Sequence, residues 1–139
     1  MTDRKALIEA FTEAWAERDL VGLMDLMSPE CEFRSSTGPE PGATFRGREE
    51  VRRGFDIYLG PIGAPAAQTE STGDLVGEEF AVTRWIARTP KPDGSTLEVR
   101  ACDVFTFDGD RIKTKDTYRK VMGEVPRPEA AAPGLPGPP

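Results

Sequence analysis

Apolar residues recur at three- and four-residue spacing early in the chain and at every second position later, so the pattern predicts helices first and strands afterwards. Leu7, Ala10, Phe11, Ala14 and Trp15 form one helical stripe behind Thr2-Asp3, residues suited to capping a helix start. Asp19 opens a short second helix with Leu20, Leu23, Met24 and Met27 on its apolar side, and Ser28-Pro29 is expected to stop it. One short strand fits 31–36, and a loop follows through Thr37-Gly38-Pro39-Glu40-Pro41-Gly42. A third helix is predicted over 48–59, with Val51, Phe55 and Tyr58 facing inward.

From residue 68 the period becomes two, giving strands near 68–76, 79–89, 96–107 and 111–121. Pro92-Asp93-Gly94 and Asp108-Gly109-Asp110 supply turns between the last three. Helices followed by strands predict an α+β domain on an antiparallel sheet, spanning 1–125. Residues 126–139, rich in Pro, Ala and Gly, have little to bury and are expected to form a disordered tail whose removal leaves folding intact.

Composition narrows the chemistry. The 139 residues include no histidine, which excludes histidine-based triads, a histidine general base and histidine-bound metals. Acid–base work then falls to Asp, Glu, Tyr, Lys or Cys. Cys31 and Cys102 are too few for a zinc cluster or disulfide framework, and read as small buried residues. No metal and no cofactor is expected. The net charge of -6, from 18 basic and 24 acidic residues, disfavours a nucleic-acid partner. No apolar run is long enough for a membrane helix, and the expected location is cytoplasmic.

Alternation along the later strands sets Ala81, Thr83 and Trp85 on one face with Val99, Ala101, Asp103 and Phe105. Val82, Arg84, Ile86, Cys102 and Val104 share the other, and a homodimer is expected to cover it. Asp103 interrupts an apolar row, so its carboxyl must be paired, hydrogen-bonded or protonated. It is either a structural partner of Arg34, Arg84 or Arg119, or an acid in an apolar pocket. Asp108 and Asp110 read as turn residues, Asp116 as a second-ranked acid, and the charged run 111–116 as a solvated strand edge.

The order of these elements, with Gly38-Pro39-Glu40-Pro41, Phe45-Arg46-Gly47 and the segment from Ala101 through Asp103-Val104-Phe105-Thr106-Phe107 to Ile112, resembles the nuclear transport factor 2-like superfamily. The pattern is similar to the ketosteroid isomerase-like and SnoaL-like, polyketide cyclase-like branches. The resemblance implies a cone-shaped fold, a homodimer, and a hydrophobic pocket between helices and curved sheet. Asp103 matches the isomerase's protonated acid. Its general base falls on Ser35, its oxyanion tyrosine on Phe11, and two supporting tyrosines on Met27 and Phe55, so that mechanism lacks its base and its phenols. The implied pocket is Phe11, Trp15, Met27, Ser35, Phe55, Thr83, Trp85, Val99, Ala101, Phe105, Thr117 and Arg119, with Asp103 as candidate catalytic acid. Two functions follow as expectations: proton transfer on a small apolar, polyketide- or steroid-like molecule, giving cyclisation or isomerisation, or noncatalytic binding or assembly.

Overall fold

The computed structural model describes residues 3–39, 41–60 and 68–120. The predicted tail at 126–139 lies outside them. Helix α1 spans Arg4–Ala16 and α2 Leu20–Asp25. Each begins at an aspartate whose carboxylate accepts a backbone N–H of the first turn, Asp3 from Lys5 and Asp19 from Gly22. Strand β1 follows at Met27–Arg34, β2 at Thr44–Arg46, and α3 at Gly47–Leu59. The remaining strands are β3 Gln68–Val76, β4 Phe80–Pro90, β5 Thr96–Asp108 and β6 Arg111–Arg119.

All six strands form one sheet in the order β2-β1-β6-β5-β4-β3. The hairpin register agrees with the sequence expectation: Ala81 lies opposite Phe105, Thr83 opposite Asp103, Trp85 opposite Ala101 and Ala87 opposite Val99. One face of the sheet packs against the helices. Leu7, Ile8, Phe11, Val51, Phe55, Phe33, Phe105 and Ile112 are buried there in one apolar cluster.

Three expectations need correction. The sheet is mixed, because β1 runs parallel to β6; the long intervening chain permits this pairing, which no tight turn allows. The second helix ends at Asp25, and Met27, Ser28 and Pro29 belong to β1. The β1–β6 register slips between Met27 and Glu32, so the N–H missing at Pro29 falls where the ladder is already interrupted. Finally, 111–116 is no solvated edge: β6 lies between β1 and β5, and Ile112, Thr114 and Lys115 are buried. Thr106 pairs with Thr114 but Phe107 with Ile112, which leaves one extra residue in β6 around Lys113. That bulge turns Ile112 and Lys115, three positions apart, to the helix side.

The loop after β1 is held back on the strand by Ser35, whose N–H donates to the Ala43 carbonyl at 2.9 Å. Gly42 has a φ of 132°, and a Cβ there would sit 2.2 Å from the Ser35 carbonyl oxygen. Only glycine fits that approach of backbone to backbone. The short β2, not anticipated from the sequence, emerges from this loop and pairs with β1 through Phe33–Phe45.

Candidate functional site

A cavity of about 410 Å³ opens between α1, the end of α3 and the helix-facing side of the sheet. Phe11, Thr12 and Trp15 line it from α1, and Phe33, Ser35 and Ser36 from β1 and the residues after it. Tyr58 closes part of one side. Thr69, Ser71 and Asp74 of β3, with Thr83, Arg84, Trp85 and Ala87 of β4, form the opposite wall. Asp103 and Phe105 of β5 and Lys115, Thr117 and Arg119 of β6 complete it.

The polar floor is one connected group. Lys115 Nζ donates to Asp103 Oδ1 at 2.9 Å and to Thr117 Oγ1 at 2.9 Å. Thr117 Oγ1 in turn donates to Asp103 Oδ1 at 2.5 Å, while Trp85 Nε1 donates to Asp103 Oδ2 at 2.9 Å. Both charged side chains are nearly enclosed, at 6% exposure for Lys115 and 8% for Asp103. The ammonium also stands 4.9 Å from the ring centroids of Trp15 and of Phe33. Aromatic faces attract a cation, so two rings and a carboxylate together compensate the cost of burying it. With the pair summing to zero charge, the floor offers a positive donor in surroundings that stay neutral overall.

This arrangement answers the question raised by Asp103. Its partner is a lysine, not Arg34, Arg84 or Arg119. Arg34 pairs with Glu32 and Asp116 on the outer side, Arg84 donates to the Thr72 carbonyl, and Arg119 stands exposed at the cavity. Three donors converge on the carboxylate, an arrangement that suits an acceptor rather than the proton-bearing acid matched by the resemblance. Ser35, at the isomerase base position, spends its hydroxyl on the Thr37 carbonyl at 2.7 Å and so fixes the loop.

Of the residues singled out from the sequence, Phe11, Trp15, Ser35, Thr83, Trp85, Asp103, Phe105, Thr117 and Arg119 come together around the cavity. Met27, Phe55, Val99 and Ala101 do not line it. Met27 and Phe55 are fully buried in the core, and Phe55 packs edge-on beneath Phe11 and Trp15. Val99 and Ala101 share the correct face but lie beyond the lining. Asp116 faces the other way, toward Arg34 and Tyr118. Lys115 is the one floor residue absent from the pocket that the resemblance implies, although alternation along β6 puts it on the same face as Thr117 and Arg119.

Outside the cavity, burial pushes the thiols of Cys31 and Cys102 up, with Asp103 and Asp116 adding to the effect at Cys102. Both cysteines are free thiols. A wider groove of about 600 Å³ lies between the start of α1 and the β3–β4 turn, rimmed by exposed Asp3, Lys5, Glu9 and Glu78. It contains no buried polar group comparable to the Asp103–Lys115 pair. Among the described residues no group of three or more Cys, Asp or Glu is placed to hold a metal ion. No described helix is long and apolar enough to cross a membrane.

Helices packed on one face of a six-stranded mixed sheet, with a cavity between the two, define a nuclear transport factor 2-like α+β protein. The model of the SnoaL-like domain family matches residues 8–114, most of the chain, and the chain belongs to that family. Comparison with curated proteins gives no match. Among solved structures, an NTF2-like protein from Cytophaga hutchinsonii superposes with a TM-score of 0.69 at 16% identity, covering 85% of this chain and 100% of its own. A Mycobacterium tuberculosis protein in complex with estradiol-17beta-hemisuccinate gives 0.66 at 17%, covering 85% and 94%. A ketosteroid isomerase-like fold from Catenulispora acidiphila in complex with trimethylamine gives 0.64 at 15%, covering 85% and 86%. At such identities the likeness is one of fold.

Proposed function

We propose that this chain binds a small, mostly apolar molecule in the cavity and receives an acceptor oxygen of that molecule at Lys115. The observation that carries the reading is the enclosed Asp103–Lys115 pair on the floor of a chamber whose aromatic side chains gather around it. The volume lies in the range of small-molecule sites, which combine apolar walls with few polar groups. Two of the ammonium hydrogens are spent on Asp103 and Thr117. The third is the donor left for a ligand. That proteins of this fold hold a steroid ester and a small amine supports a role for the chamber in binding. Binding is preferred over abstraction of a proton from a ligand carbon by Asp103, because its carboxylate oxygens already accept from three donors.

Trp15 and Trp85, the only tryptophans of the chain, both line the chamber and report on its occupancy. 2-Naphthol is expected to quench their fluorescence saturably. Naphthalene, which has the same ring system without the hydroxyl, is expected to bind roughly 10- to 100-fold more weakly, since a hydrogen bond to a charged group contributes about 1.5–3 kcal/mol. Equal affinities would remove Lys115 from the reading.

We further propose that two copies pair through the outer face of the sheet. Val82, Cys102 and Val104 lie there half-buried, bordered by the exposed side chains of Leu75, Phe80 and Tyr118. An apolar patch of this kind favours association. Light scattering at micromolar concentration is expected to give a dimer mass, and Val104→Glu a monomer; a monomeric parent would dispose of the pairing.

A further inference from the structure

We propose that Lys115 condenses reversibly with an aldehyde or ketone carbonyl of a molecule held in the chamber, forming a protonated imine. The proposal rests on the reading of the chamber as a site for small apolar molecules, and adds a substrate class and a covalent step to it. A primary amine is a weak nucleophile until it is desolvated and relieved of its proton. Lys115 meets the first condition, since its ammonium is enclosed by Trp15, Phe33 and the floor of the sheet. For the second, Asp103 Oδ1 lies 2.9 Å from Nζ, and Thr117 Oγ1 bridges the same two atoms.

The chemistry balances within these groups. Asp103 takes one proton from the ammonium, the freed electron pair of Nζ attacks the carbonyl carbon, and one of the two protons left on the nitrogen passes to the carbonyl oxygen. Asp103 then gives its proton to the hydroxyl of the carbinolamine, which leaves as water while the nitrogen electron pair forms the C=N bond. In total, an ammonium and a carbonyl give an iminium and water, with no oxidant or reductant required. The charge at the nitrogen is the same before and after, and the one hydrogen it keeps still has Asp103 as acceptor. The buried carboxylate is therefore never left without its cation, which is the costly event in an enclosed ion pair.

The remaining lysines, Lys5, Lys91, Lys113 and Lys120, are exposed and lack such a surround. Site selectivity is thus a direct readout. The intact protein is treated with 2-naphthaldehyde and cyanoborohydride at neutral pH, and the reduced secondary amine is located by peptide mass mapping. Lys115 is expected to be modified at aldehyde concentrations at least tenfold below those that label the other four, and 2-naphthol is expected to protect it. Lys115→Arg keeps the cation and is expected to lose the selective adduct; mapping on the parent protein decides the matter if that variant does not fold. Modification confined to the exposed lysines, with 2-naphthol still quenching, would overturn the imine and leave the binding site standing. Absence of both the adduct and the quenching would overturn the two together.

Discussion

Lys115→Met is expected to lower the unfolding free energy by about 3–5 kcal/mol, because it leaves the nearly enclosed Asp103 carboxylate without its cation. Trp85 and Thr117 still donate to that carboxylate, but neither carries a charge to match it. Domains are typically stable by about 5–15 kcal/mol, so a loss of this size is visible as a large fall in the urea midpoint. Adding Asp103→Leu is expected to return most of the lost stability, since the second substitution removes the stranded charge. If the double variant is no more stable than Lys115→Met, packing of the lysine stem and not charge compensation is what the chain loses. The exposed Lys5–Glu9 pair on α1 offers the contrast, since solvated ion pairs contribute about 0–1 kcal/mol.

Phe55→Ala is the second large effect, expected at about 3–5 kcal/mol through the void it leaves. The ring is fully buried in α3, with its centroid 5.0 Å from that of Phe33, 5.5 Å from Trp15 and 5.8 Å from Phe11. Three of the walls of the chamber rest on it. Truncation is therefore expected to weaken 2-naphthol binding as well as stability, although Phe55 does not line the chamber. Phe55→Leu refills most of the volume and is expected to cost clearly less in thermal unfolding, with binding largely retained. Equal transitions for the two variants would mean that the site collapses around the shorter side chain.

These two residues also illustrate what could be read from the chain. Phe55 follows from helical spacing with Val51, and the structure buries both. Asp103 follows from strand alternation, and the observed register sets it opposite Thr83 on the helix-facing side. Local periodicity serves well wherever a strand pairs with its neighbour in sequence. It fails where pairing is distant. Nothing near Ser28-Pro29 announces that β1 will lie along β6, so a proline that ordinarily ends a helix was read as a boundary when it occupies an interrupted part of a ladder. The same gap hid Lys115, because a run of alternating charges looks solvated until a second strand covers it. The extra residue around Lys113, which brings Ile112 and Lys115 to one side, has no signature of its own.

The parallel contact between β1 and β6 also sets the order in which the molecule can be made. During synthesis α1, α2, β1 and α3 emerge with their sheet partner still to be translated, and the β3–β4 and β4–β5 hairpins can form before β1 has anything but β2 to pair with. Completion waits for β6, the last described strand, and pairing between segments so distant in sequence is intrinsically slow. Until β6 arrives, β1 with Phe33 cannot join the part of the sheet that carries Phe105, and apolar surface left open in this way favours association of the nascent chain.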